Sequence, residues 1–97
     1  MIGVTAEQQS LLRDLLLRYV PDTEVWVFGS RVRGPVKDSS DLDLALYPKK
    51  TLSMSAMGLL QEALSESVLP FKVDCVDTTS ITPEFRAIIE QSRQRFI

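Results

Sequence analysis

Hydrophobic positions along the chain fall into two spacings. From Thr5 to about Tyr19, Leu11, Leu12, Leu15, Leu16 and Tyr19 recur at helical intervals. Thr5 stands three residues before Gln8, the capping-box spacing that starts a helix, and Pro21-Asp22 ends it. "EVWVF", 24–28, is a short run of β-formers and predicts a buried strand with Trp26 in the core. Gly29-Ser30 breaks that run, and the polar stretch 31–40, with Gly34 and Pro35, predicts a loop with room for one helical turn. "DLDLALY", 41–47, alternates strictly. Leu42, Leu44 and Leu46 share one face of a strand, and Asp41, Asp43, Ala45 and Tyr47 share the other. Leu52 to about Ser67 predicts a second helix with Met57, Leu60 and Leu64 on one stripe. "FKVDCV", 71–76, predicts a third strand, with Phe71, Val73 and Cys75 facing one way and Lys72, Asp74 and Val76 the other. Thr82-Pro83 is a good N-cap and first position for a third helix, whose apolar stripe is Phe85, Ile88 and Ile89, with Phe96 at its end.

The order α-β-β-α-β-α predicts an α/β (α+β) fold. Three helices cover one face of a three- or four-stranded sheet, and Asp41, Asp43 and Asp74 stand on the other. With 97 residues, one domain spanning 1–97 is the expectation, with its motif core at 24–77.

Composition narrows the chemistry. Hydrophobic residues make up 44% and charged residues 25%, as in ordinary globular proteins. Eleven Lys and Arg stand against 13 Asp and Glu, a formal net charge of -2, which argues against a general electrostatic grip on nucleic acid. No run is apolar enough to span a membrane, and the start lacks the regions of a signal peptide. The single cysteine, Cys75, excludes an intrachain disulfide and fits a reducing cytoplasm; it reads as a small buried hydrophobe. There are no histidines, so Ser-His-Asp, Cys-His and His-zinc sites are excluded. Chemistry must run on carboxylates, hydroxyls and basic residues, with an oxygen-liganded metal as a further option.

Asp41 and Asp43, on one strand face, lie roughly 6–7 Å apart at the backbone. Two ionised carboxylates that close repel unless a proton or a cation intervenes. Mg²⁺ suits such a pair, because it takes one or two carboxylates and leaves positions for phosphate and water. Asp74 has the parity to join them if its strand lies alongside, and three carboxylates around one point suit two-metal phosphoryl transfer. A bare Asp-x-Asp more often covers the solvent face of a half-exposed strand. The Gly29-Ser30 turn changes that balance. Its backbone amides and the Ser30 hydroxyl can hold a phosphate, and Arg31, Arg33 and Lys37 follow to neutralise it. Lys37 and Asp38 occupy the loop between turn and carboxylates, and a solvated Lys37 is the simpler reading. Asp77 would face away from the pair, and Tyr47 shares its face at the far end of the strand.

"GSRVRGPVKDSSDLDL" resembles the signature of the minimal nucleotidyltransferases, small members of the DNA polymerase β-like superfamily: Gly-Ser, ten residues, Asp-x-Asp. Gly29, Ser30, Arg31, Arg33, Gly34, Ser40, Asp41, Leu42, Asp43 and Leu44 match. "KVDCVD" resembles the later strand with the family's third carboxylate, at Asp74, and "PEFRAIIEQSRQRFI" resembles the terminal helix, with Gln91-Ser92 where the family commonly has Glu-Gly. The resemblance spans roughly 24–97, and the N-terminal helix fits it.

It implies a mixed sheet with helices packed on one side. It implies transfer of a nucleoside monophosphate, usually AMP from ATP, to a hydroxyl with release of pyrophosphate. Asp41 and Asp43 would bind two Mg²⁺ ions, and Asp74 the ion that activates the acceptor hydroxyl. Gly29 and Ser30 would hold the β- and γ-phosphates, and Arg31 or Arg33 would balance charge on the leaving pyrophosphate. The small size of the chain fits the antitoxin partners of HEPN RNase toxins, some of which add AMP to a toxin tyrosine. Here the neighbouring-gene protein, or a second copy of the chain, would complete the acceptor side. Two alternatives stay open: an antitoxin that masks its toxin without chemistry, and the catalytic subunit of a two-subunit small-molecule nucleotidyltransferase.

Overall fold

Thr5 opens the first helix as its spacing predicts. Its hydroxyl accepts from the amide of Gln8 at 3.1 Å, and the Gln8 side chain accepts from the amide of Thr5 at 3.0 Å. The computed structural model describes residues 3–37 and 39–97; the loop position Asp38 lies outside them. The elements are α1 (Ala6–Tyr19), β1 (Glu24–Phe28), the single turn α2 (Ser30–Arg33), β2 (Leu42–Tyr47), α3 (Met54–Ser65), β3 (Val73–Asp77), α4 (Pro83–Gln91) and β4 (Arg93–Arg95).

The strands form one mixed sheet in the order β3-β2-β1-β4. β2 runs antiparallel to β1 and parallel to β3, and β4 is antiparallel to β1. Alternation along the strands decides the two faces. Val25, Val27, Leu42, Leu44, Leu46 and Val73 point to one side, where Leu12 and Leu16 of α1 and Leu60 and Leu64 of α3 cover them. Full burial of each such side chain contributes roughly 1.5–3 kcal/mol, so this layer holds the sheet rigid under the opposite, functional face.

Two features depart from the sequence expectation. The chain past Ser92 is extended rather than helical, and Arg93–Arg95 adds a fourth strand to β1. Phe96 still reaches the core, by tucking in beyond that strand, where its amide donates to Val25 O at 2.8 Å. The second departure is α4. Only α1 and α3 lie on the leucine face; α4 lies on the other. The Phe85 ring meets Phe28 edge-on at 6.1 Å, and Glu90 accepts a 3.1 Å hydrogen bond from the Tyr47 hydroxyl. Phe28 and Tyr47 both share the face of Asp43. The chain leaves β3 at one edge of the sheet and must reach β4 at the other, while α1 and α3 already occupy the leucine face. α4 is the crossover, and only its Ile89 is buried; Phe85 and Ile88 are 36% and 57% exposed.

Candidate active site

β1 ends at Phe28, which pairs with Asp43 across the ladder, so the turn that follows runs directly beside that carboxylate. Gly29 has φ +81°, and a Cβ there would lie 2.5 Å from Asp43 Oδ2. Only glycine satisfies both constraints. Ser30, exposed, opens α2, and Gly34 closes it: its amide donates a hydrogen bond to Ser30 O at 2.7 Å.

On β2, Asp43 is half-buried and stands in register with Asp74 on β3. Asp41 stands one residue before β2, exposed. The alternation thus brings the three predicted carboxylates to one end of one face. Burial raises the pKa of Asp43 above its ordinary value, and the charges of Asp74 and Asp41 raise it further, against the opposing pull of Arg33 and Lys72. Asp74 Oδ1 lies 3.6 Å from Lys72 Nζ, and its side chain is 43% exposed. A raised carboxylate pKa among like charges marks a place short of positive charge, and the hard oxygen donors suit Mg²⁺ in kind. Among the described residues, no three acidic side chains already converge as a ligand set.

A cavity of about 400 Å³ joins these parts, lined by Phe28, Gly29, Ser30, Arg33, Asp41, Asp43, Phe85, Ile88 and Ser92. One wall is polar and charged, from the turn and the carboxylates. The other is apolar, from Phe28 and α4. A larger cavity, about 570 Å³, lies between α3 and the edge of β3 and contains none of the predicted site residues. The chemistry points to the smaller one.

The two arginines of the motif part company. Arg33 is exposed and lines the cavity. Arg31 is 1% exposed, and its guanidinium donates to backbone carbonyls of Ser40 and Gly3. The expectation that Arg31 reaches phosphate therefore meets a side chain already committed inside the fold. The α4 residues were the ones sequence reasoning missed, since Phe85 and Ile88 read as core.

Other predicted residues lie outside the cavity. Tyr47 sits at the far end of β2, bonded to Glu90 and flanked by Arg86 and Arg93. Trp26 is half-buried on the second face under Arg93, 4.0 Å from its guanidinium, rather than in the leucine core. Lys37 is exposed. Asp77 is buried and structural: it accepts from the amides of Leu52 and Thr79 at 2.8 and 2.9 Å. Burial pushes the Cys75 thiol up to about 12, which keeps it protonated and unreactive at neutral pH.

A turn open to phosphate, an adjacent Asp-x-Asp and a third carboxylate on a parallel neighbour are the kinds of part that phosphoryl-transfer chemistry uses. Residues 14–96 match the family described as "Polymerase beta, Nucleotidyltransferase". The chain belongs to the polymerase beta nucleotidyltransferase family. Among its relatives, the probable protein adenylyltransferase MntA of Haemophilus influenzae is 41% identical over 90 residues, covering 93% of this chain and 79% of that one. The fold resembles that in a crystal structure of a toxin-antitoxin with AMP-PNP, with a TM-score of 0.76 and 25% identity over 92% of this chain and 72% of the other. It also resembles, at 23% identity and a TM-score of 0.70 over 92% of this chain and 68% of the other, a chain in the complex of tri-AMPylated Shewanella oneidensis HEPN toxin with MNT antitoxin. No helix among the described residues is long and apolar enough to cross a membrane.

Proposed function

We propose that the chain transfers AMP from ATP, with two Mg²⁺ ions, to a tyrosine hydroxyl of a HEPN-type toxin, and so serves in the cytoplasm as that toxin's antitoxin. The carrying observation is the cavity that unites Ser30, Arg33, Asp41 and Asp43 beside the in-register Asp74. The adenylyltransferase relative and the AMP-PNP complex support the choice of nucleotide and reaction.

In this reading Gly29 and Ser30 hold the β- and γ-phosphates, and Arg33 balances the charge that builds on the leaving pyrophosphate. Asp41 and Asp43 would hold the metal, and Asp74 would complete the set on the acceptor side. Mg²⁺, when bound, neutralises the triphosphate and lowers the pKa of the attacking hydroxyl. The hydroxyl oxygen loses its proton to solvent water as it attacks the α-phosphorus, the bond from that phosphorus to the bridging oxygen breaks, and pyrophosphate departs. The apolar wall of Phe28, Phe85 and Ile88 receives the nucleoside.

The test is to co-express the chain with the product of its neighbouring gene, incubate the purified pair with ATP and Mg²⁺, and record intact masses. One or more AMP additions on the neighbour, absent with Asp43→Asn, are expected. A stable pair with no addition would support masking, a second reading favoured by the exposed Ile88 at the rim of the site.

A further inference from the structure

Arg31 links the Gly-Ser turn, the segment before Asp41 and the lead-in to β3 without lining the cavity. Burying a guanidinium is costly unless its donors are met, and here three donor bonds go to backbone. Nε and Nη2 both donate to Ser40 O, at 3.0 and 2.7 Å, and Nη1 donates to Gly3 O at 3.2 Å. The guanidinium carbon lies 4.3 Å from the centre of the Phe71 ring.

The contacts to Ser40 and Phe71 each lead to a site residue. Arg31 follows Ser30 in α2. Phe71 leads into β3 and Asp74. Ser40 precedes Asp41, and its carbonyl belongs to the peptide plane that also contains the amide nitrogen of Asp41. Two donors on that one oxygen fix the plane, and with it the direction in which Asp41 leaves the loop. Ser40 is held from the other side too: its amide donates to Lys37 O at 2.9 Å, and its hydroxyl accepts from the Lys37 amide at 3.1 Å. Asp41 needs such support, because it stands outside the ladder that fixes Asp43.

We propose that Arg31 is a positioning residue: through the Ser40 carbonyl it holds Asp41 beside Asp43, and through Phe71 it ties that geometry to the strand of Asp74. It touches no substrate. Lysine cannot replace it, since one ammonium lacks the flat fork that meets Ser40 O and Gly3 O while stacking on Phe71.

The inference rests on the proposed AMP transfer, so its test has one activity readout and one that needs no activity. Arg31→Lys, assayed with the partner, ATP and Mg²⁺, is expected to lower kcat on the order of 10²-fold, the cost of a misplaced group, with KM for ATP within about twofold. A raised KM with kcat unchanged would instead make Arg31 a phosphate contact and overturn the proposal. In the isolated chain, amide hydrogen exchange of Arg31→Lys is expected to quicken at Ser40, Asp41 and Leu42 and to stay slow at Val27 and Leu44. Exchange that is unchanged at the first three, or faster across the whole sheet, would reduce Arg31 to a general staple. If Arg31→Lys does not fold, Phe71→Leu keeps the hydrogen bonds and removes the stacking surface. It should quicken the same three amides, and no local change there overturns the proposal. If the wild-type pair transfers no AMP, the activity reading fails, and hydrogen exchange still decides the role of Arg31.

Discussion

Asp43 on β2 and Asp74 on β3 stand opposite each other in a parallel register, with the backbone of Gly29 pressed against the Asp43 carboxylate. Like charges opposed across a ladder cost roughly 0.2–1 kcal/mol, and a half-buried carboxylate adds desolvation to that cost. The sheet accepts this repulsion where the leucine face beneath is rigid. A cation brought in with a nucleotide would relieve it, which links the strain in the free chain to the proposed use of the site.

Asp43→Asn should therefore separate activity from stability. AMP transfer is expected to fall by at least roughly 10³-fold, as when a group acting in the transition state is lost. The metal-free variant should nonetheless be slightly more stable than the parent at neutral pH, by about 0.5 kcal/mol after allowance for solvent screening. The sign follows from linkage. The folded pKa of Asp43 lies above its ordinary 3.8, so the native state binds the proton more tightly. Its stability contribution is full below that ordinary value and is lost as pH rises through the raised folded pKa. Urea midpoints across this window should show the parent losing stability with rising pH relative to the variant, and the gap closing in acid.

Gly29→Ala should harm both properties. The backbone at φ +81°, ψ −150° is a region that side chains avoid, and the new methyl would meet Asp43 Oδ2. Such strain costs about 1–3 kcal/mol, and relieving it means moving the turn away from the carboxylates. A lowered urea midpoint, together with loss of ATP-dependent transfer, is the expected pair of results. A variant as stable as the parent would show that the turn relaxes freely.

Arg33→Gln should act on ATP binding and turnover while sparing the fold. The side chain is exposed at the cavity wall, so unfolding should shift by less than about 0.5 kcal/mol. Loss of a charged hydrogen bond to phosphate is worth about 1.5–3 kcal/mol. KM for ATP should therefore rise at least roughly tenfold, and kcat should fall as well because the charge Arg33 balances builds only in the transition state; Arg31→Lys, by contrast, should leave KM nearly unchanged.

The contrast between Arg31 and Arg33 also marks how much the sequence could tell. The cap at Thr5, the leucine alternation of 42–46 and the Gly-Ser turn before Asp-x-Asp are local patterns, and local patterns survive folding unchanged. The separate fates of the arginines were nearly legible, since residues two apart on a helical turn point roughly 200° from one another. The face chosen by α4 was not legible, because it depends on which face α1 and α3 had already filled. Nor was β4: Arg-Gln-Arg has no strand signal, and its extended form comes from pairing with β1. Phe85 and Ile88 fit a core stripe by spacing, and only the placement of α4 turns them toward the cavity.

The sheet edges offer the last test. β3 is an edge strand, and an edge exposes unpaired backbone groups that invite another chain. Gln61 of α3 covers two of them. Its side-chain nitrogen donates to Val73 O at 3.0 Å, and its oxygen accepts from the Cys75 amide at 2.9 Å, the paired bonds that a neighbouring strand would make. Gln61→Ala leaves both groups bare beside the larger cavity. A loss of roughly 1–3 kcal/mol is expected for the stranded pair if water cannot fully replace the amide. Concentration-dependent association should accompany it, seen as a shift in size-exclusion elution between dilute and concentrated samples. Gln61→Glu discriminates further. It keeps the acceptor for Cys75 but sets a carboxylate against Val73 O, so it should lose stability as well, while its charge keeps the edge from pairing with another chain. Association in the alanine variant and its absence in the glutamate variant would identify Gln61 as an edge guard; a monomer in both would leave it a bond within the fold and nothing more.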